Sequence, residues 1–493
     1  MQKTKEYIKQ HRNDDVYKLA LGKAPEGVDL QYALQQIAAY QTIEKKIPSW
    51  AECDELIFPR QLSLEQSSSE LTARYKASLI KEFMGNQPFT HIDLTGGMGI
   101  DCYFIAQHTK NSHYVELNPE LCQIAQHNFT HLNPNISVHN TTAEEFLNIL
   151  SPCLRGTSPT GGGGLSTLNS QLSTLIYLDP ARRGDHGQKL VSIADCQPNV
   201  VELLPQMFEL TNKIVVKLSP MLDITRAISE LPHIEKLYVI SVGNECKELL
   251  LFINKNYTDD TQICAINLNS QQITKTMDAQ YCPPVLGGRA VGGGGQNSQL
   301  STLNFCDKRE QSSLLRLPSE AIFSINERNR NLFIFPSEEK ILLKKITTEG
   351  SNSQLLTGTL SNEASLTISH AHAVCKYLYE PYAAHLKSGL YKTIAQQYGC
   401  EKLHQHSHLY TSTELNLDFP GRRFEVKEVV PFDKKSAKAL FKSLPKANLT
   451  TRNFPLTVSE LRTQYKIKDG GETYIFATTL YDESKVLIVC HKA

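Results

Sequence analysis

Between His91 and Ile253 seven short apolar runs are set out in a way that constrains the fold more than any other feature of the chain. Five of them, His91 to Leu94, Tyr114 to Leu117, Ser137 to His139, Leu175 to Leu178 and Lys213 to Leu218, alternate with stretches of helical periodicity. The last two, Lys236 to Ser241 and Leu249 to Ile253, follow one another closely. Alternation of strands with helices predicts a doubly wound, mostly parallel sheet of seven strands. A parallel crossover needs a dozen or more residues, so the close pair, joined only by Val242 to Lys247, is expected to be antiparallel.

The rest of the 493 residues is read around that unit, taken as 81–270. Residues 1–80 are expected to be helical, with apolar positions at helical spacing in Tyr32 to Ala38 and again in Leu71 to Leu79. Ser63 to Gln66 and Ser67 to Glu70 both fit a capping box, which predicts a helix starting between them and running through Tyr75 and Lys76. The string Asn169 to Leu175 recurs verbatim at Asn297 to Leu303, each copy preceded by four glycines. Polar, glycine-rich and irregularly placed, these stretches read as flexible insertions at about 151–174 and across 271–370.

Composition narrows the class. Lys+Arg and Asp+Glu both total 51, and 40% of residues are hydrophobic, as in ordinary globular protein. The twelve cysteines are never closer than eighteen positions, so zinc or redox C-x-x-C spacing is absent and no metal is expected. The charged start, Met1 to Asp15, and the lack of a long apolar run argue against a secretion signal or a membrane partner, and the expected location is cytoplasmic.

The chemistry is expected at the ends of the strands. The first strand runs into Asp93-Leu94-Thr95-Gly96-Gly97-Met98-Gly99, where glycines let the backbone approach a ligand and the following helix offers free N–H groups. Seventeen residues after Gly99, Glu116 ends the second strand, where a carboxylate can accept both ribose hydroxyls of a nucleotide-like ligand. The fourth strand ends in Asp179-Pro180-Ala181-Arg182-Arg183, and carboxyl ends of central strands face the binding crevice.

These residues, with Ala143-Glu144-Glu145-Phe146, resemble class I S-adenosylmethionine-dependent methyltransferases in order and spacing. Within that class the chain resembles a bacterial group in which the methyltransferase domain precedes a ferredoxin-like segment and a THUMP-like domain. The residues carrying this are Glu65-Gln66-x-Ser68-Ser69-Glu70, Asp179 to Arg183, Glu245-Cys246-Lys247-Glu248-Leu249-Leu250, Leu378-Tyr379-Glu380-Pro381 and Arg452-Asn453-Phe454-Pro455. The resemblance implies an α/β fold: a Rossmann-like seven-stranded methyltransferase sheet, an N-terminal helical region, and a small C-terminal α+β region divided at 371–423 and 424–493. It implies S-adenosyl-L-methionine held by Asp93, Gly96, Gly97, Gly99, Glu116 and Ala143, and a reactive end at Asp179, Pro180 and Arg182. Two departures stand out: Thr142 precedes Ala143 where the class has Asp, and Ala181-Arg182 replaces the Pro-aromatic pair of many amino-group methyltransferases. Cys246 is read as a packed structural residue rather than a nucleophile, and His139 as an ordinary strand-end residue rather than a base.

Between 421 and 468 twelve basic residues face four acidic ones, a local charge of +8 in a neutral chain. Lys434, Lys435, Lys438 and Lys442 lie near helical pitch and suit a phosphate backbone. THUMP-like domains accompany RNA-modifying enzymes, so the resemblance implies methylation of structured RNA, tRNA or rRNA. An NAD-dependent oxidoreductase, a non-catalytic RNA-binding protein with a vestigial pocket, and a protein or small-molecule methyl acceptor remain open alternatives.

Overall fold

The computed structural model describes residues 2–132, 135–154, 173–182, 192–268, 322–326, 331–335 and 355–493. Two compact units are present. One comprises 1–268 with 354–493; the other is 269–353, of which an antiparallel pair of strands, Ile322–Asn326 with Asn331–Phe335, is described. The repeated polar strings and their glycine runs lie outside the described residues, apart from the start of the fourth strand.

The larger unit opens with helices α1 (Gln2–Gln10), α2 (Val16–Ala20), α3 (Leu30–Lys46), α4 (Pro48–Ala51), α5 (Gln61–Gln66) and α6 (Glu70–Met84). Ser69 caps α6, its side chain accepting the Thr72 N–H. The helix starts at the end of the second string, but the expected Ser67–Glu70 box does not form, since Glu70 accepts from Ser49 and Arg74, and the first string falls within α5. The main sheet is built from β1 (Phe89–Asp93), β2 (Asn111–Glu116), β3 (Ile136–Asn140), β4 (Ser173–Leu178), β5 (Lys213–Leu218), β6 (Ile234–Val242), β7 (Glu245–Asn254), β8 (Gln262–Leu268) and β9 (Leu356–Gly358). Helices α7 (Ile100–Ala106), α8 (Pro119–Leu132), α9 (Ala143–Leu154), α10 (Val200–Leu210) and α11 (Ile224–Glu230) connect β1 through β6.

The strand order is 3-2-1-4-5-7-6-8-9. β1 to β6 run parallel, and β7 is antiparallel to both β5 and β6, as the short connection requires. That connection is tighter than expected: Gly243 and Asn244, both at positive φ, form the turn, and Cys246 already belongs to β7. The sheet has nine strands, not seven. β8 pairs parallel with β6, and β9 pairs antiparallel with β8 at Ala265↔Leu356. β9 lies inside the stretch read as insertion, and three residues are too few to show an alternating pattern in sequence. The all-buried β1 reflects its central place, with helices covering both faces.

The second sheet takes β10 (Tyr377–Pro381), β11 (Glu401–Lys402), β12 (Tyr410–Ser412), β13 (Gly421–Pro431), β14 (Asn448–Arg452), β15 (Tyr474–Thr479) and β16 (Lys485–Lys492), in the order 11-12-10-13-16-15-14. Between β9 and β11 come helices α12 (Leu360–Ser365), α13 (Ala383–Ser388) and α14 (Tyr391–Gln397); α15 (Lys434–Ser443) and α16 (Val458–Tyr465) lie further on. The two sheets share a core: Leu356 of β9 clusters with Tyr379, Ala384, Leu390, Ile394 and Phe419. Asn244 in the β6–β7 turn accepts the Ala383 N–H at 2.8 Å, fixing the head of α13 on the main sheet. Glu380, buried in β10, takes Arg452 on one oxygen at 2.8 Å and Arg422 on the other, so residues 377–420 and 421–492 are tied by a carboxylate between two guanidiniums.

Candidate active site

A cleft of about 900 Å³ opens at the carboxyl ends of β1, β2, β4 and β5. Asp93, Gly96, Gly97, Gly99, Glu116, Ala143, Asp179 and Pro180 all line it, so residues spread over some ninety positions meet in one place. Arg182 is not among the lining residues: its backbone pairs with Cys196, which lines the cleft, and its side chain lies outside the described residues, as does Arg183.

The glycines have separable reasons. A Cβ on Gly96 would sit 2.2 Å from the Tyr114 ring, and one on Gly99, at φ +79, would meet Phe129 at 2.5 Å, so both are forced by packing. Gly97 differs. At φ +54 it has nothing nearer than the Thr95 carbonyl at 3.9 Å, which leaves a backbone cradle facing open space. Its N–H donates to Glu116 at 2.9 Å and its carbonyl accepts the Tyr114 hydroxyl at 2.5 Å. Glu116 also accepts the Asn118 N–H at 2.8 Å, so the carboxylate is already aimed at the mouth of the loop.

Asp93 is 1% exposed. Burial pushes its pKa up to about 8, the Thr95 N–H at 3.0 Å draws it back, and Asp101, Asp179 and Glu116 add repulsion. Thr95 then links the strands: its hydroxyl accepts the Asp179 N–H at 2.6 Å, setting the start of the Asp-Pro turn against the glycine loop.

Beneath Asp179 lies a buried network that sequence reasoning missed. Lys217, at the end of β5, forms an ion pair with Asp179, and its ammonium is also 3.2 Å from the Ser68 hydroxyl and 3.6 Å from Asp101. Asp101, in the first turn of α7, accepts hydrogen bonds from Ser68 and from the Tyr177 hydroxyl, both at 2.9 Å. Lys76 of α6, wholly buried, bridges Asp101 at 3.1 Å and Glu248 of β7 at 2.9 Å. Burial would raise Asp101, but Lys76 and Lys217 outweigh it and hold its carboxyl far below the usual range. Burial would likewise lower Lys217, but Asp179, Asp101 and Glu248 keep it firmly protonated. Glu248 goes the other way, raised by burial despite both lysines, and its second oxygen has no hydrogen-bond partner among the described residues.

Ser68 and Glu248 belong to the strings that carried the family resemblance, and here they acquire a physical role. Cys246 is half-buried with its thiol pushed up to about 11 by burial, the reverse of an activated nucleophile. His139 is not solitary: its Nε2 lies 3.1 Å from Nδ1 of His113. On α15, Lys434, Lys435, Lys438 and Lys442 are exposed, opposite Ala437, Leu440 and Phe441, which are buried. No salt bridge engages the four lysines among the described residues. No group of three His, Cys, Asp or Glu that could hold a metal occurs among the described residues, and no helix there is long and apolar enough to cross a membrane.

Comparisons with known proteins align with this architecture. Residues 377–420 match a model for a ferredoxin-like domain and residues 421–492 one for a THUMP domain-like family. A candidate methyltransferase from Porphyromonas gingivalis W83 is 29% identical, covering 99% of this chain and 97% of its own, at a TM-score of 0.69. More distant structures include TrmK of M. capricolum with S-adenosyl-homocysteine (13% identity, 38% of this chain and 70% of that one, TM-score 0.26). Another is a candidate class I S-adenosylmethionine-dependent methyltransferase of Listeria monocytogenes (10%, 57% and 98%, TM-score 0.32). Among curated proteins none matches. The chain therefore shares the fold of the Porphyromonas gingivalis protein over nearly its whole length, with a Rossmann-type main sheet, and it ends in a ferredoxin-like and a THUMP-like domain.

Proposed function

We propose that the protein is an S-adenosylmethionine-dependent methyltransferase that methylates a nucleotide of structured RNA, tRNA or rRNA. The observation that carries this reading is the meeting of the Gly96–Gly99 loop, the carboxylates Asp93 and Glu116, and Asp179-Pro180 in one cleft. The residues fit the cofactor. Pockets of roughly 300 to 1,000 Å³ hold ligands of its size, and the cleft is about 900 Å³. The cradle at Gly97 is open, Asp93 suits the ammonium end, Glu116 suits the ribose, and Ala143 and Leu117 offer apolar surface for adenine.

When bound, S-adenosylmethionine supplies a methyl group on a positive sulfonium. Asp179 holds the acceptor in line and takes its proton, Pro180 stiffens the turn, and Arg182 grips the neighbouring base or phosphate. Exposed Lys434, Lys435, Lys438 and Lys442 contact the phosphate backbone of the RNA. The direct test is calorimetric titration with S-adenosylmethionine and S-adenosylhomocysteine, followed by tritiated-methyl transfer to RNA and protein fractions. Absence of adenosyl-ligand binding would reject the reading.

Two further outcomes are expected. With its pKa near 8, Asp93 is mostly protonated at pH 6.5, and a cationic ammonium binds the ionised form. Affinity for S-adenosylhomocysteine should therefore rise with pH, by up to tenfold per unit between pH 6.5 and 8, with about one proton released on binding below that range's upper end. Asp93→Asn should flatten the rise; titrations in buffers of different ionisation enthalpy measure both. Replacing all four lysines of α15 by glutamine should flatten the dependence of log affinity on log salt by about 0.7 to 0.9 for each phosphate no longer neutralised, with cofactor binding unchanged. Filter binding of RNA between 50 and 200 mM salt reads this out, and an unaltered slope would detach α15 from the substrate.

A further inference from the structure

The cleft floor presents an ammonium at the reactive end. Lys217 lines the cleft, is ion-paired to Asp179, and is backed by Ser68 and Asp101. Lys76, itself paired to Glu248, holds Asp101 from behind, so Asp101 is fixed beside Lys217. Lys247 lines the same cleft, and Lys46 lies near enough to Lys217 and Lys247 that, after burial, their charges help lower its pKa to about 8. Lys247 is paired to Glu245 at 2.7 Å, and carboxylates line the cleft as well, so the ammonium in direct contact with Asp179 is that of Lys217.

That charge sorts acceptors by what happens as the new bond forms. A neutral amine or an adenine ring nitrogen becomes positive as it takes the methyl group, and a fixed ammonium beside it opposes the reaction. A hydroxyl or a lactam N–H that loses its proton becomes negative, and the same ammonium favours it. The sequence departs from the amino-group pattern at the same point, with Ala181 where a second proline would stand. Resting on the methyltransferase reading above, we propose that the acceptor attacks as an anion, a ribose hydroxyl or the lactam N–H of a base, with Lys217 positioning Asp179 and offsetting the developing charge. In that step the acceptor's O–H or N–H proton passes to Asp179 and the new O–C or N–C bond forms. The S–C bond breaks with its electron pair left on sulfur, and the sulfonium becomes a thioether.

The experiment is tritiated-methyl transfer by the full chain to total RNA from cells lacking the protein, with the product digested to nucleosides. Alkali-resistant dinucleotides yielding 2′-O-methylnucleosides identify a ribose hydroxyl; N1-methylguanosine or N3-methyluridine identifies a lactam. Either supports the proposal. Label in N1-methyladenosine or in an exocyclic methylamine overturns it while leaving the methyltransferase reading standing. Unlabelled RNA despite S-adenosylhomocysteine binding overturns the RNA reading and this inference together. Lys217→Met should lower kcat by about 10²-fold with KM for the cofactor within threefold, and Lys217→Arg should recover at least tenfold of that loss. Equal activity of Lys217→Met and the native chain would remove Lys217 from the mechanism.

Discussion

Asp179→Ala is expected to lower methyl transfer by about 10³-fold, the usual range for losing a positioned proton acceptor, while S-adenosylhomocysteine affinity changes little. The separation follows from the geometry. Among the described residues the hydrogen bond from Asp179 to the glycine loop is made by its backbone N–H, which donates to Thr95 and survives the substitution. Lys217 keeps Ser68 and Asp101 as partners, so the floor of the cleft is not dismantled. Asp179→Asn keeps the shape and one acceptor oxygen but cannot take a proton at neutral pH, so it should sit close to alanine in rate. Single-turnover transfer alongside calorimetry gives both quantities. Full turnover in Asp179→Ala would move the reactive end elsewhere.

Lys76→Met should be the most damaging single change to stability. Lys76 is wholly buried between Asp101 and Glu248, and removing one member of a buried ionic group costs about 3–5 kcal/mol because the other charges stay behind unpaired. Glu248 already has one oxygen without a hydrogen bond and a raised pKa, so it can become neutral; Asp101 retains Lys217, Ser68 and Tyr177. The double variant Lys76→Met, Glu248→Leu should therefore recover much of the loss, since apolar replacement of a whole buried pair is often neutral. Urea unfolding of the native chain, the single and the double variant closes the cycle. A single variant as stable as the native chain would show that the network is not a structural keystone.

The contrast between what was legible in the sequence and what was not has a physical basis. The glycine loop, Glu116 and Asp179 sit at fixed offsets from strand ends, and such offsets survive in one dimension. So do the central strands, whose apolar runs are long enough to read, and the antiparallel hairpin, whose short connection permits nothing else. Lys217, Lys76 and Glu248 could not be found that way. Each is one charged residue inside an ordinary helix or strand, and its role arises only when α6, α7, β4, β5 and β7 converge from positions 68 to 248. The basic count between 421 and 468 misled in detail: Arg422 and Arg452 belong to Glu380 and serve the joint between the two C-terminal segments. The ninth strand was hidden because Leu356–Gly358 owes its conformation to the edge it joins, not to its own three residues.

That edge has a further consequence. β8 ends at Leu268 and its antiparallel partner β9 begins at Leu356, so the two are a hairpin in space although 269–355 lie between them in the chain. The entropy lost in joining the ends of a connection grows only with the logarithm of its length, about 0.6 kcal/mol for each doubling. The sheet edge is thus nearly indifferent to how much chain joins its two ends, and the connection can be lengthened or shortened at small entropic cost away from the cleft at the ends of β1, β2, β4 and β5.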